Sequence, residues 1–179
     1  MRAVIMLATV VIFLSFAIPL LANSKRVGFA VSERFLERLN AIPYVTSSEK
    51  PIDQTNLREW VLLNSESAKA YARYVIPMDL AFLIALGTFV GLASWTLAAQ
   101  IAWPASLNVP LWIWWLLPTL YMAADLSEDI LIATLLSLPS TIQEASVGLL
   151  KAFKNIKMVS VSLGLVQIIV LVCLGWIWK

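Results

Sequence analysis

The chain contains no histidine and a single cysteine, Cys173, among its 179 residues. Without histidine there is no imidazole ligand for haem or zinc, and no Ser-His or Cys-His catalytic pair. One thiol excludes an intrachain disulfide and every motif built on paired cysteines. Charge is equally scarce: 13% of residues are charged and the formal net charge is +2. The net charge itself says nothing about a partner; no nucleic-acid partner is expected. No nucleophile elbow, phosphate loop or metal-binding motif interrupts the sequence. No cofactor is expected, therefore, beyond structural lipids, and no metal site is assigned.

What the sequence does contain is apolar surface. Hydrophobic residues make up 60% of the chain and its mean hydropathy is +0.84, values far from those of a water-soluble or a disordered domain. Four long apolar stretches each reach the roughly 20 residues that a transmembrane helix needs. We expect an all-α membrane protein, a four-helix transmembrane bundle forming one domain over 1–179, with spans near 3–22, 76–103, 110–138 and 157–178. The first stretch resembles a secretory signal, but Leu20, two residues before Ala22, occupies a position that a signal gives to a small residue. It is read as a span.

Between the first two spans, residues 23–75 alternate basic and acidic side chains. They form a short helical extramembrane segment. Ser32 followed by ERFLERL fits a capped amphipathic helix, and PYVTSSEKP reads as loop. Helical spacing resumes from Leu57 with an interruption at Asn64-Ser65. About fifty residues cannot bury a core of their own, so these helices are expected to rest on the membrane or on the bundle. Residues 140–156 form an interfacial amphipathic segment. Thr141 with Glu144, or Ser140 with Gln143, has capping-box spacing there. Ile142, Ala145, Leu149, Phe153 and Ile156 share one face, with Gln143, Glu144, Lys151 and Lys154 pointing away.

Small residues mark packing faces: Gly87 and Gly91 in the second span, Ser160 and Gly164 in the fourth. Trp103, Trp112, Trp114, Trp115, Trp176 and Trp178 gather at one end of the spans as an interface belt. The cations of 23–75, with Lys151, Lys154 and Lys157, fall on the opposite side. The positive-inside rule then puts 23–75 in the cytoplasm and both termini outside, in an integral protein of what we take to be a bacterial inner membrane.

The third span holds the one pattern that demands an explanation. Asp125, Glu128 and Asp129 follow fourteen uncharged residues from Leu111 and precede nine more to Leu138. At three- and four-residue spacing Asp125 faces both other acids. Three carboxylates at that depth must hold protons or meet cations. The possible partners are Asp79 through a shared proton, and Arg73, Lys154 or Lys157 through charge, with Ser127 as a further member of the network. Four uses remain open: a buried network fixing helix register, a proton or cation pathway, an oxygen-ligand metal site, or acid-base catalysis.

Tyr74, Pro77, Met78 and Asp79 at the start of one span, then Pro118 and Asp125-Leu-Ser-Glu128-Asp129 in the next, resemble small uncharacterised four-span bacterial membrane proteins with an acidic D-x-x-E-[ND] third helix. The resemblance implies a four-helix fold and no activity. We expect an accessory, scaffold or assembly subunit of a larger membrane complex, non-catalytic, whose partners are lipids and other membrane subunits. The alternatives are a proton or cation translocator using the three acids, and an intramembrane enzyme acting on a lipid-like substrate.

Overall fold

The computed structural model describes residues 53–103 and 107–177, with ten positions between 7 and 22. Those ten positions are helical or lie within a helical stretch, and Leu7, Val11 and Ile18 are exposed. The rest of the expected first span, the amphipathic helix after Ser32, the loop at 43–51 and Trp178 lie outside the described residues.

The described residues form helices and short connections, with no strand among them. Helix α1 (Gln54–Leu63) is capped by Asp53, whose carboxylate accepts from the Asn56 backbone N–H at 2.8 Å. Asn64 ends it and starts α2 (Ser65–Ala70). The chain continues without a break through a π-helical turn (Tyr71–Val75) into α3 (Ile76–Ala98). The π turn has a local cause. Pro77 has no N–H for the carbonyl four residues back, and the wider turn absorbs that missing bond through Ile76 N–H donating to the Tyr71 carbonyl.

After a short connection, Pro110 opens a 3-10 turn (Leu111–Trp115) that runs into α4 (Leu116–Ser137). A second 3-10 turn (Pro139–Thr141) precedes α5 (Glu144–Ile177). The segment expected to be interfacial, 140–156, and the expected fourth span are joined without a break, because α5 is one helix of 34 residues. It starts at Glu144, with the Gln143 N–H donating to Ser146 Oγ at 2.8 Å rather than through either expected capping box.

Each of the three long helices packs against the other two. Helices long and apolar enough to cross a membrane number two among the described residues, Ser65–Ala98 and Glu144–Ile177. Helix α4 has comparable length, but its acids set it apart by composition. At one end, Leu57 and Val61 of α1 join Ala68, Tyr71, Val75, Leu135, Ile142 and Leu150 in an apolar plug across the base of the bundle. At the other end Ala98, Ile101 and Leu171 pack with Trp103 and Trp114.

The exposed and buried faces are the reverse of those in a water-soluble bundle. Helix α4 turns Leu116, Leu120, Leu126 and Ile130 outward while Asp125, Glu128 and Asp129 are 1–2% exposed. Helix α5 turns Leu149, Ile156, Val159, Leu163, Val166 and Ile169 outward and buries Lys154, Ser160 and Gly164. This corrects the face expected for 140–156. Lys154 points inward, whereas Ala145, Leu149 and Ile156 face out. The expectation had laid the apolar stripe on the membrane interface and turned Gln143, Glu144, Lys151 and Lys154 away from it; of these four, Lys154 alone is buried.

Candidate functional site: a buried layer of opposite charges

Spacing on α4 puts Asp125, Glu128 and Asp129 on its inner face, one turn apart. Helix α5 runs antiparallel to it and presents Lys157 at the same level. The Lys157 ammonium lies 2.5 Å from Asp125 Oδ1 and 3.1 Å from Glu128 Oε2. Lys157 itself is 17% exposed, so one cation bridges two carboxylates that water does not reach. Lys154, one turn below and 2% exposed, is within electrostatic range of Glu128 and Lys157.

Helix α3 adds Asp79 from its first turn, within range of Lys157, Asp125 and Glu128. Two tyrosines close the layer. Tyr121, four residues before Asp125 on the same face, is placed to hydrogen-bond that carboxylate. Tyr71, from the π turn and 3% exposed, lies within electrostatic range of Asp79 and Asp129. Asp79, Asp125, Glu128 and Asp129 thus face Lys154 and Lys157 across three helices. Fully ionised, the layer would lack two positive charges.

Two expected members are absent from it. Arg73 is exposed and stacks over the Tyr74 ring, 5.7 Å from its centroid. The π turn carries it to the outer side of the helix. Ser127 donates to the Ala123 carbonyl on its own helix at 2.7 Å instead of joining the acids. The carboxylates do not converge on one point either: no group of three acidic, cysteine or histidine side chains is arranged to hold a metal ion among the described residues.

The small residues position the helices around this layer. A Cβ at Gly87 would overlap the Met122 side chain, and one at Gly91 the Trp115 indole. Large side chains of α4 and its preceding turn therefore fill these two notches, where a neighbouring helix backbone was expected. Gly164 faces Val90 across the α3–α5 contact, and Ser160 donates to the Ile156 carbonyl at 2.6 Å. The tryptophans divide. Trp103 stacks on Trp114 at 5.8 Å, and Trp95 meets Trp115 edge-on at 6.5 Å. Trp112 and Trp176 are 63% and 85% exposed.

One contact has no counterpart in the sequence expectations. Gln167 Nε2 donates to the Trp114 carbonyl at 3.0 Å. In an α-helical ladder that carbonyl would accept from residue 118, which is proline and has no N–H. A side chain from α5 supplies the missing donor and ties the start of α4 to the C-terminal half of α5. Tyr121 could have been found from its four-residue spacing to Asp125. Tyr71 could not, because the π turn shifts the helical phase that separates it from Asp79.

Compared with protein-family models, with curated proteins and with solved structures, the chain matches none.

Proposed function

We propose that this protein is a non-catalytic accessory or assembly subunit of a larger membrane complex, built as a four-span bundle in a bacterial inner membrane. Both termini lie outside and residues 23–75 in the cytoplasm. The reading rests on the reversal of faces: α4 and α5 bury three acids and a lysine while displaying leucine, isoleucine and valine outward. In water that arrangement forfeits apolar burial and desolvates charge at once. In hydrocarbon both choices are favourable.

Packing supports a structural role over transport. Lys157 occupies the space between Asp125 and Glu128, and the plug of α1, α2 and the π turn closes the bundle below them. A translocator needs a wet route to its carboxylates on both sides, and the plug counts against one. Replacing Asp125 by Asn and Glu128 by Gln in reconstituted vesicles tests the choice. A structural layer loses stability or assembly, with no ion flux in the parent protein to lose. Proton or cation flux through the unaltered chain, abolished by D125N/E128Q while the fold persists, would overturn the reading in favour of a translocator.

A further inference from the structure

Asp129 differs from its two neighbours. It forms no ion pair with Lys157, and its Oδ2 is buried without a hydrogen-bond partner although the residue is only 2% exposed. It also lines an open groove between α3 and α4, about 420 Å³ in volume, together with Ile76, Leu80, Ala133, Thr134 and Ser137. An unsatisfied buried carboxyl is costly. Here it faces a slot that opens on the outer, apolar surface of the bundle.

We infer that this groove receives a membrane-spanning helix of a partner protein that brings a lysine or arginine to Asp129. The inference rests on the accessory-subunit reading and names the partner that reading requires. Charge complementarity selects the occupant, since the layer has four carboxylates against two ammonium groups, and Asp129 is the carboxylate next to the opening. Depth selects it further. Asp129 is eight residues from Ser137 at the end of α4, about 12 Å along the helix. A lipid settled in the groove would put an acyl chain at that level and its headgroup beside Ser137, leaving Asp129 without a partner. A lysine or arginine on a neighbouring helix has a long flexible stem that brings its charge to such a site. A bare divalent cation would find too few ligands, as the acids do not converge.

The test reconstitutes the full-length protein, labelled with a fluorescent donor, in phosphatidylcholine vesicles. Acceptor-labelled leucine-alanine transmembrane peptides are added, with either one lysine about 12 Å inside the interface or leucine at that position. Energy transfer should show the lysine peptide associating about tenfold more tightly than the leucine peptide, in the range of interhelical polar contacts in bilayers. D129N should abolish that preference. A133F, which fills the groove and leaves every charge in place, should weaken binding of the lysine peptide by a similar factor, and it decides the matter should D129N fail to fold. Equal binding of the two peptides, or a preference that survives D129N, overturns the proposal. So does energy transfer between two copies of the protein that D129N removes, because the groove then belongs to self-association. Gentle extraction from native membranes separates this inference from the reading beneath it. A wild-type chain that runs only as a monomer defeats the accessory role. A wild-type chain in a larger complex from which D129N is not released defeats the docking site alone.

Discussion

Lys157 is the residue on which the buried layer depends most. Among the described residues it is the cation that bridges Asp125 and Glu128, so Lys157→Met takes from both buried carboxylates the ammonium between them. Removing one partner of a buried pair typically costs about 3–5 kcal/mol, more than the pair contributed when intact. We expect K157M to lower the detergent-unfolding midpoint sharply. Adding D125N and E128Q to it should recover most of the loss, as loss of the compensating charge matters more than loss of the contacts. A triple variant no more stable than K157M would show that Lys157 acts through packing instead. Gln167 allows a second measurement at the same scale. Gln167→Leu should cost about 1 kcal/mol, the size of a polar contact between helices in lipid. The cost should shrink when Pro118→Ala returns an N–H to the Trp114 carbonyl. A double-mutant cycle in which the two losses simply add would break the link between proline and glutamine.

At the scale of single helices, the glycines of α3 give graded expectations. Gly91→Ala pushes a methyl into the Trp115 indole, which Trp95 holds edge-on, whereas Gly87→Ala meets Cγ and Sδ of the unbranched Met122 side chain. Overpacking of this kind costs about 1–3 kcal/mol, and the rigid ring should place G91A at the upper end and G87A at the lower. Thermal melts followed by tryptophan emission would rank them. The helices also show how far local sequence carries. The π turn follows from Pro77 only when the helix is already known to continue through 71–75, and a linear reading breaks the chain there. The inward direction of Lys154 was hidden for a different reason. On 140–156 the apolar and polar stripes are both clear, and nothing in the stripe itself says which one faces the bundle. The acids of α4 were legible because fourteen uncharged residues precede them and nine follow. Their counter-ion Lys157 was a candidate from its place at the base of the last run. Its rivals, Arg73 and Lys154, could be sorted only by helical phase across three elements.

For the whole molecule, the orientation is open to a direct check. With Cys173 replaced by serine, Asn108→Cys in the short connection and Arg58→Cys on α1 occupy exposed positions at opposite ends of the bundle. An impermeant thiol reagent applied to intact cells should label the first and spare the second until the membrane is opened. Labelling of Arg58→Cys from outside would invert the proposed topology.

The bond between Gln167 and Trp114, together with Lys157 and its two acids, also bears on how the chain is made. Helix α4 leaves the ribosome before any of the groups that neutralise or complete it, and an aspartate at mid-helix resists insertion by about 2.5–3.5 kcal/mol. Three such acids should keep the nascent segment from partitioning into lipid by itself. Chains stopped at Phe153 should therefore leave α4 accessible to tagging from the periplasm or the cytoplasm, and chains extended past Gln167 should not. With that outcome the last helix would act as an intramolecular chaperone for the one before it, the two entering the bilayer as a hairpin.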